Sequence, residues 1–157
     1  MNKKTFLNAP ELHIGIAAFF LHFVWELIQT PLYECFRDTH YYTVVLLIIR
    51  ATLGDVLISL AAFWSASVAV RSRFWILEED KKGFWVFLGI GMLITVVFEE
   101  LATGPLNLWG YTDAMPVLPL LGTGLAPVAQ WIILPLLQFW FVRRQLLGGS
   151  ISGHLIQ

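Results

Sequence analysis

Six ionisable side chains stand inside apolar stretches of this chain: His22, Glu26, Arg50, Asp55, Glu99 and Glu100, with Gln29 and Gln130 beside them. His22, Glu26 and Gln29 follow one another at steps of four and three residues, which places all three on one side of a helix. A carboxyl group in an apolar surrounding holds its proton more tightly, because the charged form loses its hydration. Such a group serves as a general acid near neutral pH, and a neighbouring histidine can relay the proton. The chemistry this set suits is protonation or rearrangement of an apolar substrate dissolved in a membrane. On that reading Glu26, Glu99, Asp55 and His22 are the catalytic candidates. Gln29, Arg50, Glu100, Asn107, Trp109, Tyr111 and Gln130 are the substrate-contacting ones. No resident metal is assigned, and the residues name no cofactor.

Each of these residues also has a plainer reading. Arg50 can neutralise a carboxylate or extend to the membrane interface. His22 and Glu26 can form a hydrogen-bonded pair that fixes helix packing, and Gln130 an interhelical hydrogen bond. Glu99 and Glu100 lie near a helix end, where one of them can be solvated. The aromatic residues Tyr33, Tyr41, Tyr42, Trp75, Trp85, Trp109 and Tyr111 read mostly as an interface belt. Against a wholly structural reading, several ionised groups in one apolar slab are expensive.

The elements that must carry these residues are membrane helices. The chain has 157 residues, 57% hydrophobic and 13% charged, with a mean hydropathy of +0.70. Soluble domains have about 45–50% apolar and about 25% charged residues, so the polar surface here is too small to cover a soluble globule. A net charge of −1 offers no field for nucleic acid. Cys35 is the single cysteine, which excludes an internal disulfide and a multi-cysteine metal site. Lys3 and Lys4 precede an apolar run without a small-x-small cleavage site, so that run reads as a retained first helix.

A spanning helix needs about 20 apolar residues. Four stretches qualify, at 13–33, 43–70, 84–103 and 120–142, and they predict an all-α fold, a four-transmembrane-helix bundle. Pro31 falls near the end of the first, and Pro127 and Pro135 predict kinks inside the fourth. Residues 71–83 form a charged connection, 104–119 an outer loop with a single charge at Asp113, and 148–157 a loose tail. Lys3, Lys4, Arg71, Arg73, Lys81, Lys82, Arg143 and Arg144 fall on one side, against Arg37 and Arg50 on the other. By the positive-inside rule both termini and the 71–83 connection are cytoplasmic. The chain is thus expected to be a multi-pass protein of the inner (plasma) membrane, with the lipid bilayer as its partner.

Counting at about 1.5 Å per residue along these antiparallel helices puts His22, Asp55 and Gln130 near the middle, Glu26 and Gln29 in the outer half, and Arg50, Glu99 and Glu100 in the outer third, one slab that leaves the inner half almost without ionisable groups. Gly15, Ala18, His22, Glu26, Gln29 and Tyr33 make one stripe. Asp55, Ser59, Ala62 and Ala66 make a second, and Gly91, Thr95 and Glu99 a third. The small residues suit close helix contact, so the polar groups are expected to face inward.

Glu100-Leu-Ala-Thr103-Gly104-Pro105, followed by Trp109-Gly110-Tyr111-Thr112 and Met115-Pro116, resembles a motif of carotenoid-modifying integral membrane proteins of the lycopene-cyclase-domain and carotenoid-hydratase types. Those proteins place an acidic residue before a glycine-containing turn and an aromatic pair, ahead of another helix. They also carry a second acidic pair near the start of that helix, where this chain reads Gly122-Thr-Gly-Leu-Ala-Pro127 without an acid. The resemblance implies an apolar lipid or isoprenoid substrate. Two other readings stay open. His22 and Glu26 could share a metal with Glu99 or Asp55, or belong to a proton path. Alternatively, the polar cluster could order a non-enzymatic accessory subunit.

Overall fold

The computed structural model describes residues 9–154, with side chains as far as Gly148. Four helices make up the fold: α1 (Pro10–Gln29), α2 (Tyr41–Val70), α3 (Lys81–Thr103) and α4 (Leu125–His154). The described residues contain no strand beyond two isolated bridges, Tyr33 with Tyr111 and Val117 with Gly124. Each helix carries a segment long and apolar enough to cross a membrane: Pro10–Leu32, Tyr41–Val70, Lys81–Thr103 and Leu125–Gly148, with mean hydropathy from 1.5 to 2.2.

The helices form a closed ring in sequence order. α1 packs on α2 and α4, and α3 packs on the same two. Contacts at the ends fix the antiparallel sense. Arg73 Nη2 meets Glu11 Oε2 at 2.6 Å and Arg143 pairs with Glu79, so the start of α1, the 71–80 connection and the far part of α4 share one end. That end carries Arg71, Arg73, Lys81, Lys82, Arg143 and Arg144, and is called the basic end below. At the opposite end, the loop end, the 104–124 loop is docked on the chain leaving α1. Glu34 N donates to Gly110 O and Thr112 N to Leu32 O, both at 3.0 Å.

An aromatic core fills the basic end. Trp75, 1% exposed, lies 5.9 Å from both Phe63 and Phe87 and 6.1 Å from Phe139, between ring centroids. This corrects the expectation that Trp75 belongs to an interface belt. The connection folds as tight turns that tuck the indole under the bundle, and Gly83 leaves it room. A Cβ on Gly83 would stand 2.9 Å from Trp75 Cε3. Tyr33 is likewise buried, whereas Tyr41, Tyr42 and Trp85 are exposed as belt residues would be.

Several boundaries differ from the sequence expectation, each for a local reason. α1 stops at Gln29 because Pro31 sits in a 3-10 turn, Thr30–Leu32. Tyr33 is then extended at φ −117 rather than helical. α3 begins at Lys81, since the Asp80 side chain accepts from Gly83 N at 2.9 Å and caps it. α4 begins at Leu125, after a turn in which Gly122 takes φ +71. Pro127 therefore lies in the first turn of α4, where an amide N–H has no helical partner to lose, and no kink is needed there. Pro135 is the proline inside the helix. α4 is helical as far as His154, through much of the segment expected to be loose. Residues 155–157 lie outside the described residues, as do Lys3 and Lys4.

Candidate functional site

The expected stripe on α1 is the buried face of that helix. Ala18, His22, Glu26 and Gln29 are all buried at 7% exposure or less, and Gly15 is half-buried. Two hydrogen bonds brace its acid. Gln29 Nε2 donates to Glu26 Oε1 at 2.7 Å, and Trp25 Nε1 donates to Gln29 Oε1 at 3.1 Å. The amide is thereby oriented from behind before it meets the carboxyl group.

Gln130, in the second turn of α4, ties three helices together. Its Nε2 donates to Asp55 Oδ2 on α2 at 3.0 Å and to Glu26 Oε1 on α1 at 3.5 Å. The same nitrogen lies 2.8 Å from His22 Nδ1, and His22 Nδ1 lies 3.2 Å from Asp55 Oδ2. Which ring nitrogen of His22 carries the proton sets the direction of these contacts. His22 Nε2 is buried and meets no hydrogen-bond partner among the described residues. Beneath this layer the Trp131 indole lies 5.5 Å from the His22 ring. It presses so closely on Gly91 that a Cβ there would sit 1.9 Å from Cζ3. Trp131 backs His22, and Gly91 is the space it requires.

Glu99, on α3, is held separately. Tyr111 donates to Glu99 Oε2, Trp109 Nε1 donates to the same oxygen at 3.4 Å, and Tyr33 donates to Oε1 at 3.5 Å. The Tyr111 hydroxyl also accepts from Gly124 N at 3.0 Å. Both phenols are pushed above their ordinary range. Burial is the main cause, followed for Tyr33 by the neighbouring charge of Glu99 and for Tyr111 by the hydrogen bond to Glu99. They remain protonated donors throughout the physiological range. The Glu99 carboxyl group therefore accepts from three neutral donors and, among the described residues, forms no ion pair.

Between these two groups lies a cavity of about 390 Å³. Glu26, Asp55, Glu99, Gln29, Gln130, Arg50 and Trp109 all border it, so residues of all four helices and the loop meet on one space. Thr95 completes the polar side, while Leu47, Ile58, Phe98 and Leu108 supply apolar wall. Among the described residues no three His, Cys, Asp or Glu side chains are grouped so as to hold a metal ion. The shared metal set considered from the sequence, His22 and Glu26 with Glu99 or Asp55, is not formed.

The chain matches no protein-family model, and no curated protein or solved structure matches it.

Other candidates stand apart from the cavity. Glu100 turns to the loop, where Thr123 donates to its Oε1, and Asn107 is exposed in a turn at φ +45. His22 lies behind Gln130 and Asp55, off the cavity lining, and Tyr111 reaches the site through Glu99. Arg50 is exposed and forms no ion pair with a carboxylate among the described residues. Sequence reasoning missed Cys35 and Gly54, which border the cavity, and Trp131, which packs against His22. Tyr33, which the sequence places both on the α1 stripe and among the belt aromatics, reaches the site by another route: Pro31, two residues earlier, marks where the chain leaves the helix and turns back.

Proposed function

We propose that the chain is an integral membrane protein with cytoplasmic termini, and that the loop-end cavity does acid–base chemistry on an apolar lipid or isoprenoid substrate. One observation carries this reading: three carboxyl groups from three helices border a single largely apolar cavity, and amide, phenol and indole groups, with the His22 imidazole at Asp55, hold them, not lysine or arginine. Carboxyl groups paired with cations are spent on structure, whereas these remain able to give or take a proton.

The roles follow from position. Glu26 and Asp55 adjoin across Gln130, whose amide fixes their spacing. Glu26 delivers a proton to an alkene carbon of the substrate, forming a C–H bond and leaving a carbocation. The oxygens of Glu99, held opposite by Tyr33, Trp109 and Tyr111, and the rings of Tyr33, Trp109 and Phe98 give the cation an electron-rich surface. Loss of a proton from a neighbouring carbon to Asp55 closes the sequence as an isomerisation or cyclisation, with no oxidant or second substrate needed. Asp55, which adjoins Glu26 across Gln130, hands that proton back to Glu26, and His22 holds the Asp55 carboxyl group in place. The resemblance of residues 100–116 to carotenoid-modifying proteins supports the same substrate class.

The test is solvent deuterium. Membranes containing the protein, incubated in deuterated water, should place deuterium at carbon in an extractable lipid or isoprenoid. Control membranes should not. Identical isotope patterns in the two would overturn the reading. A packing role is the second reading, favoured by Gln130 itself, since an amide that joins α1, α2 and α4 also orders a bundle. Under it, removing the ionisable proton of Glu26 has no consequence.

A further inference from the structure

We propose that the occupant of the cavity is an amphiphile with an anionic headgroup, its anion seated on Arg50 and its chain along the apolar wall. This rests on the acid–base reading of the same cavity and names its substrate class.

Arg50 is the cation among the lining side chains. Its possible internal partners are committed elsewhere. Glu26 is bound to Gln29 and Gln130, Asp55 to Gln130 and His22, and Glu99 to Tyr33, Trp109 and Tyr111. The guanidinium therefore faces the cavity with its five donors available to a ligand.

Depth agrees. α2 has 30 residues, about 45 Å at 1.5 Å each, against a hydrocarbon core of about 30 Å. With Val70 at one boundary, Arg50 falls about 30 Å away, at the other boundary, where lipid headgroups lie. Asp55 is five residues, about 7.5 Å, nearer the middle. An anion at Arg50 thus places the first few carbons of an attached chain beside the carboxyl groups. The wall they would meet is Phe36, Leu47, Ile58, Phe98 and Leu108. The space reaches the α2 backbone at Gly54, where a Cβ would meet nothing within 4 Å.

The same chemistry is offered by a carboxylate, as in a free fatty acid, and by a phosphate, as in a lipid or prenyl phosphate. Arginine binds both bidentately. Cys35, the single cysteine, borders the cavity and reports its occupancy. The experiment follows maleimide modification of Cys35 in the full chain, purified in maltoside detergent, with dodecanoate, dodecyl phosphate or dodecanol added.

Both anions should slow modification saturably, with dodecanol needing at least about tenfold higher concentration, since charge-assisted hydrogen bonds are the stronger ones. The better of the two anions identifies the headgroup. In Arg50→Gln the anions should fall to the level of dodecanol, and in Arg50→Lys part of the preference should survive. Gly54→Leu, which fills the cavity, should abolish protection by all three. Dodecanol protecting as well as the anions in the native chain would overturn the proposal, and that comparison needs no variant to fold. So would unchanged anion protection in Arg50→Gln or in Gly54→Leu. Protection by dodecanol equal to that of the anions would leave the acid–base reading standing, because that reading fails separately, in the deuterium experiment.

Discussion

Replacing Gly91 by alanine probes the tightest contact beneath the site. The new Cβ would lie 1.9 Å from Trp131 Cζ3 and 2.2 Å from Cε3. Carbon atoms ordinarily pack at about 3.5–4.0 Å, so α3 or the indole must move by at least about 1.5 Å. Trp131 is fully buried and wedged between His22 at 5.5 Å and Phe87 at 6.4 Å. Any swing therefore opens the contacts of His22 with Asp55 and Gln130. Overpacking of this kind costs about 1–3 kcal/mol, and this contact lies at the severe end. Relief of glycine's poor helix propensity returns up to about 1 kcal/mol. The expected net loss is about 2 kcal/mol, a fall in Tm of about 4–8 °C for a chain of this size. Thermal unfolding in detergent, followed by tryptophan fluorescence, measures it. Gly54→Ala is the control, since its Cβ meets nothing within 4 Å and its Tm should hold or rise. Adding Trp131→Phe to Gly91→Ala should restore part of the loss. A Tm for Gly91→Ala equal to that of Gly54→Ala would refute the packing of Trp131 on α3.

Three further expectations follow from other parts of the molecule. Burial raises the Cys35 thiol above its ordinary value. The reactive thiolate is therefore scarcer at neutral pH, and maleimide modification should keep accelerating at pH values where a free thiol has levelled off. A plateau at or below pH 9 would contradict the burial. Reporter fusions at residue 77 and at the C-terminus should be active only on the cytoplasmic side, and an externally active fusion at either point would overturn the orientation. Arg73→Ala removes an exposed ion pair with Glu11, worth about 0–1 kcal/mol, and should shift Tm by no more than about 4 °C. Gln130→Leu removes the amide shared by Glu26, Asp55 and His22 and should lower Tm by far more, whichever reading of the site holds.

Much of this arrangement was legible because long apolar helices are periodic. Apolar runs of about 20 residues marked the four helices, and counting along them put Glu26, Asp55, Glu99 and Gln130 in one slab between the middle and the outer third; all four border one cavity. The three-and-four spacing of Ala18, His22, Glu26 and Gln29 gave the buried face of α1 directly. What periodicity does not govern was missed. Trp75 sits in a charged connection and resembles an interface anchor, and its burial depends on Gly83, eight residues later, leaving space for the ring. Tyr33 enters the site because Pro31 ends the helix and redirects the chain, not because it continues the α1 stripe. The partner of Glu100, Thr123, lies in a turn whose shape depends on Gly122 at positive φ. Asn107, expected against a substrate, is turned outward by its own left-handed backbone. Arg50 was legible as an arginine inside an apolar stretch, but its lack of a carboxylate partner among the described residues depended on how Gln29, Gln130 and the loop aromatics satisfy those acids.

The central claim is that Glu26 acts through its proton. Glu26→Gln keeps the side chain's shape while removing only that proton. Measured in deuterated water beside the native protein, with Tm recorded for both, it should lose at least about 10²-fold in deuterium incorporation, the usual scale for a lost general acid. Its Tm should stay within a few degrees of the native value. Native-level incorporation in Glu26→Gln would contradict the account and leave the cluster as a packing device.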